Sequence, residues 1–172
     1  MADDSSTESR AEANEVAQAL GIAMAQWGVV ENRLFLLYLV LCGAGQPPNT
    51  ASVTYETLVH LDTKLNVIDR LMKFRSNEAV TLEEWASLLN KVRRKIKKVR
   101  NKIAHWRIWR NTEKGRAFLG PPLFVHPDQV PDFGSPQSGA MTAHDLLDHA
   151  DRFTELADQI EKFMKNMRLQ HI

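Results

Sequence analysis

The feature that most limits how this chain can fold is a row of apolar residues near its start: Val16, Leu20, Ala23, Met24, Trp27, Leu34, Tyr38 and Leu41. Their spacings of three and four place them on one side of an α-helix. The spacing predicts a helix over 9–42, closed by the breakers in "GAGQPPN". A second helical stretch follows over about 51–75, in one piece or two. Asp62 or Thr63 is the expected cap of its later part, and Leu65, Ile68 and Met72 form its apolar side. "TLEE" at 81–84 has the form of a capping box, Thr81 with Glu84. It is expected to open a helix to about residue 106, striped by Trp85, Leu89, Val92, Ile96, Val99, Ile103 and Trp106. "TAHD" at 142–145 has the same form. It should open a last helix whose stripe is Leu146, Ala150, Phe153, Leu156, Ile160, Phe163 and Met167.

A helix with one apolar stripe must bury it against another element, and several such helices do so most simply as a bundle. The expected fold is all-α, an antiparallel bundle of four to five helices. A chain of 172 residues suits one domain with one core, expected over 9–172 behind a flexible acidic lead at 1–8. Residues 109–141 are expected as a long loop: "GPPLFVHPDQVPDFGSPQSG" holds five Pro and three Gly. A short hairpin around "NTEKG" is the alternative for its first part.

The net charge of +1 conceals an uneven distribution. Between Lys91 and Arg110 there are ten Lys or Arg residues and no acid, whereas residues 1–15 carry five acids and one Arg. Exposed helices ordinarily mix signs, which gains i,i+4 pairs and avoids repulsion. A local field of one sign attracts a polyanion. Cys42 is the only cysteine, which excludes a disulfide framework and a thiolate zinc cluster. "LFLLYLVLCGAG", about a dozen residues, is too short to span a bilayer, and "MADDSSTESR" lacks the character of a signal peptide. No membrane partner and a cytoplasmic setting are expected.

On a regular helix of 100° per residue, Arg100 lies at the edge of the apolar stripe, while Asn101 and His105, one turn apart, point away from it. Glu31 is the second oddity, a carboxylate in the first helix's stripe between Trp27 and Leu34. Burial there is costly without a cation, and Arg100 is the expected partner. The alternative is a hydrated place at the bundle rim.

Arg100-Asn101-Lys102-Ile103-Ala104-His105 resembles the R-x4-H motif of the HEPN superfamily, in which a polar residue, often Asn, follows the Arg. The resemblance extends in outline over 9–168, without the loop. It implies a metal-independent ribonuclease, often homodimeric, in toxin–antitoxin or phage-defence systems, with a cognate antitoxin as a partner; it also implies many silent members. The toxin branch whose antitoxins are nucleotidyltransferases carries a Tyr two residues after the His, where this chain has Arg107.

The residue types suit that chemistry. A His can take the proton of an RNA 2′-hydroxyl, an Arg can hold phosphoryl oxygens bidentately, and an Asn can orient either. One His cannot be base and acid at once, and a two-fold dimer would supply a second His105. The expected catalytic set is Arg100, Asn101 and His105, with Glu31 in support. Lys97, Lys98, Lys102, Arg107, Trp109 and Arg110 are expected to contact RNA, with Trp106 or Trp109 stacking a base. No cofactor is expected. His144, Asp145, Asp148, His149 and Asp151 are poorly spaced for a metal. A silent RNA- or nucleotide-binding module and a helical interaction protein stand as rival readings.

Overall fold

The computed structural model describes residues 3–43, 48–76, 78–111, 116–121 and 140–169. The protein is predominantly helical, as the stripes require. Its elements are α1 (Asp3–Cys42), α2 (Pro48–Thr57), α3 (Leu61–Arg75), α4 (Ala79–Lys91), a π-helical turn (Val92–Ile96), α5 (Lys97–His105), strands β1 (Arg107–Asn111) and β2 (Arg116–Gly120), and α6 (Ala143–Leu169). They form two compact units. The first unit comprises residues 1–27 and 99–152, the second 28–98 and 153–172.

In the first unit Val16, Ala19, Ala23 and Trp27 of α1 are buried, with Ile103, Ala117, Leu119, Met141, Leu146 and Ala150. The stripe of α1 therefore differs slightly from the expected one: Ala19 is in the core, Leu20 is half-buried and Met24 is exposed. The helix also begins at Asp3, so the acidic lead continues the helix. β1 and β2 form an antiparallel hairpin in which Trp109 pairs with Phe118. The hairpin alternative thus holds for the strands at 107–111 and 116–120, the expectation of a loop from 109 is corrected there, and 112–115 lie outside the described residues. Leu119 exchanges two backbone hydrogen bonds of 2.8 Å with Met141, so that β2 is paired on both sides. Most of the Pro/Gly-rich segment, 122–139, lies outside the described residues. Gly120 lets the Trp109 indole lie close: a Cβ there would sit 3.0 Å from the ring.

α6 starts as its sequence predicts. The Thr142 N–H and hydroxyl donate to Asp145 Oδ2 at 2.9 and 2.8 Å, and the Asp145 N–H donates back to the Thr142 hydroxyl at 3.2 Å. This reciprocal pair satisfies helix-end donors and puts a carboxylate at the positive end of the dipole. The Thr142 backbone hydrogen bond is the main reason why the Asp145 carboxyl is held below its ordinary range.

In the second unit the α6 stripe from Phe153 to Met167 is buried, as are Leu34, Leu37 and Leu41 of α1 and Leu65, Ile68 and Met72 of α3. The caps differ from expectation. α3 follows an extended His60 that makes no side-chain cap, so neither Asp62 nor Thr63 opens it. α4 begins at Ala79, two residues before Thr81, whose hydroxyl turns back to Glu78 at 3.1 Å. Pro48 is the first residue of α2, where its missing N–H costs nothing. α1 ends on Gly43 at φ +76°, and Arg75 donates to the Cys42 carbonyl at 3.0 Å across that turn. Only glycine suits the site, because φ is positive and a Cβ would stand 2.8 Å from Arg75 Nη2.

Candidate RNA-processing face

The basic residues from Lys91 to Lys102 were expected on one continuous helix reaching to about residue 106. Instead the π turn at Val92–Ile96 interrupts it, the Lys97 N–H donating to the Val92 carbonyl five residues back. A π turn changes the rotational phase of everything after it. Val99 and Trp106 of the expected stripe are accordingly only half-buried.

The local phase of α5 is set by Ile103, its one buried residue. Measured from Ile103, Asn101 and His105 each lie about 160° round the helix, and both are exposed. They share the face opposite the core, as their i,i+4 spacing requires. Arg100 lies about 60° from Ile103 and is half-buried. Its guanidinium carbon stands 5.9 Å from the centre of the Trp27 ring, and its Nη1 is 3.4 Å from Asn101 Oδ1. Tryptophan faces attract guanidinium groups through the ring quadrupole. The first unit thus holds an arginine between a buried indole and the side chain of the next residue.

Lys102 stands 4.7 Å over the Trp106 ring. The Trp109 indole N–H donates to the Pro121 carbonyl at 3.1 Å, and its ring is half-buried. Arg107 and Arg110 on β1 are exposed. The hairpin is tied to α1 by Glu12, whose carboxylate accepts the Ala117 N–H. His149 of α6 is half-buried; burial, Arg152 and Lys102 hold it below the ordinary histidine range against the pull of Asp145 and Asp148.

The remaining expected residues belong to the second unit. Lys97 is bonded to Asp62 of α3, which takes part of its capacity for phosphate, while Lys98 is exposed. Glu31 is half-buried, and its charge adds to burial in raising the Tyr55 phenol above the ordinary range. The weak metal candidate reduces to His144 Nε2 at 3.9 Å from Asp148 Oδ2, both exposed. Among the described residues no group of three such side chains could hold a metal ion, and no helix is long and apolar enough to cross a membrane.

Sequence reasoning missed Trp27, Glu12 and His149 as neighbours of this face. Trp27 was visible only as a member of an apolar stripe. Nothing local indicates which cation its ring will meet, and no spacing links Glu12 to a strand a hundred residues later. No family model, curated protein or solved structure matches the chain.

Proposed function

We propose that the protein is a HEPN-like, metal-independent endoribonuclease acting as a homodimer, with Arg100, Asn101 and His105 as its catalytic set, in a toxin–antitoxin or phage-defence setting where an antitoxin restrains it. The observation that carries this reading is the setting of Arg100. The guanidinium rests on Trp27 and reaches Asn101, on a helix that presents Asn101 and His105 together to the outside. An arginine so oriented offers its planar fork to a phosphate with little rotamer entropy left to lose.

In the proposed reaction His105 takes the proton of a ribose 2′-hydroxyl. The 2′-oxygen bonds to the adjacent phosphorus while the P–O5′ bond breaks. Arg100 stabilises the charge on the equatorial oxygens. The departing 5′-oxygen takes a proton from the second subunit's protonated His105. The products are a 2′,3′-cyclic phosphate and a 5′-hydroxyl, and DNA, lacking the 2′-hydroxyl, is not cut. Lys98, Lys102, Arg107 and Arg110 hold the RNA backbone, with Lys97 contributing less because of Asp62.

The test is cleavage of total RNA in EDTA by wild type beside His105→Ala, with sedimentation for the oligomeric state. Wild type should cut and His105→Ala should bind RNA without cutting. Equal cleavage by both would remove the nuclease reading. Salt-sensitive RNA binding by wild type without cleavage would favour the silent binding module.

A further inference from the structure

A cleft of about 420 Å³ lies in the second unit, bounded by Asp69 and Lys73 of α3, by Leu82, Trp85, Ala86, Leu89 and Asn90 of α4, and by Arg93 and Arg94 of the π turn. The nuclease reading makes no use of it. We propose that this cleft binds a small oxyanion that carries an apolar body.

The apolar part of the argument comes from α4. Trp85 and Leu89, both buried, line the cleft together with Leu82 and Ala86. The volume falls in the range of small-molecule sites, which are mostly apolar with a few placed polar groups. The charge comes from the rim. Lys73, Arg93 and Arg94 oppose one carboxylate, Asp69. That carboxylate is already engaged: it accepts the Trp85 indole N–H at 3.0 Å and the Lys73 ammonium at 2.9 Å. Burial pushes the Asp69 pKa up, but these two hydrogen bonds and the charges of Lys73 and Arg93 bring it below the ordinary value. Asp69 thus stays ionised, and the rim retains a positive excess.

The π turn contributes the second arginine. Neighbouring residues are separated by a smaller angle in a π turn than in an α turn, so Arg93 and Arg94 both reach the cleft. Arg93 is fixed by its Nη2 on Asn66 Oδ1 at 2.6 Å, while Arg94 is exposed. Two arginines at consecutive positions on a cleft with apolar lining match a carboxylate or phosphate head that carries an apolar body.

Phenyl phosphate, benzoate, inorganic phosphate and benzyl alcohol are titrated into the full chain while the Trp85 indole N–H resonance is followed. Phenyl phosphate or benzoate should bind saturably, and the tighter of the two identifies the head group. Inorganic phosphate and benzyl alcohol should bind at least about tenfold more weakly, each lacking one half of the match. Arg94→Gln, at an exposed position, should weaken binding of the better probe about tenfold. Ala86→Leu should block it by filling the cleft, and Arg116→Gln, at an exposed position outside the cleft, should leave that binding unchanged. Three results would each overturn the proposal: no movement of the Trp85 resonance with either aromatic oxyanion, affinity for benzyl alcohol equal to theirs, or undiminished binding by Arg94→Gln. RNA cleavage bears on none of these outcomes.

Discussion

The two halves of the basic stretch use the same residue types in different ways. In the first half the cations reach other helices: Lys91 donates to Gln159 of α6 at 3.0 Å, Arg93 to Asn66 and Lys97 to Asp62, both on α3. In the second half Arg100 and Lys102 lie over indole rings, Trp27 and Trp106. Hydrogen bonds to Gln159, Asn66 and Asp62 tie a cation to a neighbouring helix, whereas an aromatic face orients it over a ring. The first half therefore acts as a zipper between helices. The second half leads along α5 to the exposed Asn101 and His105. A run of like charge in a sequence does not announce this division; the partners make it.

The largest effect should come from breaking the second half. Arg100→Lys keeps the charge but loses the planar fork, and His105→Ala removes the proposed base. Each should lower RNA cleavage about 100-fold or more, with the thermal midpoint little changed for His105→Ala because that side chain is exposed. Single-turnover cleavage in EDTA measures it. A wild-type rate from Arg100→Lys would mean that the fork on Trp27 has no part in the chemistry.

Acid should separate the two units next. His149, in the first unit, has its folded pKa held below the ordinary 6.5, chiefly by burial and then by Arg152 and Lys102. The unfolded chain then binds more protons at mildly acidic pH. The stability that neutral His149 contributes is complete above about pH 6.5 and is lost as pH falls through its depressed folded value. Asp145 adds a second loss below 3.8, its ordinary value, because its folded pKa is lowered by Thr142. Chemical denaturation at pH 7.5 and 5.5 should show weakening in the wild type and much less in His149→Gln. An identical slope in both would remove His149 as the cause.

The helices were readable because their stripes are long. Every expected apolar residue of α6 is buried, and its Thr142–Asp145 box formed because both members are local to one turn. The same four-residue form failed at Thr81, where Glu78 outside the box captures the hydroxyl. The π turn was not readable, since Val92 and Ile96, its first and last residues, keep a helical spacing of four and both are buried. The candidate face was legible in its exposed part, because Asn101 and His105 are fixed by helix phase alone. Its buried support was not: Trp27 lies far from Arg100 in sequence, and only the packed fold brings the ring to the guanidinium.

A neutral change tests whether stability and activity are separable across the comparison. Gly21 and Gly28 lie within α1, one in each unit, and a Cβ at either would meet nothing within 4 Å. Glycine inside a helix costs roughly 1 kcal/mol against alanine. Gly21→Ala and Gly28→Ala should therefore each stabilise the protein by about 1 kcal/mol in urea denaturation, leaving RNA cleavage as it is. A loss of stability at either position would mean that the glycine meets something besides its own helix.

The smallest effects should give the finest resolution, because Lys97 and Lys98 are neighbours with opposite expected behaviour. The Lys97 ammonium holds Asp62, and both side chains are partly exposed, at 33% and 51%. Pairs of this kind contribute about 0.2–1 kcal/mol. Lys97→Gln should lower stability by that little and hardly alter RNA affinity, since the lost cation was already shared with a carboxylate. Lys98 is exposed, so Lys98→Gln should leave stability unchanged. It should reduce the dependence of log affinity on log salt by about 0.7, the share of one phosphate contact on a single strand. Filter binding of a short RNA at several salt concentrations, beside urea melts of both variants, measures the pair. If Lys97→Gln instead leaves stability unchanged and lowers the salt dependence as Lys98→Gln does, the zipper ends before Lys97, and the half proposed to face RNA begins one residue earlier than its hydrogen bonds indicate.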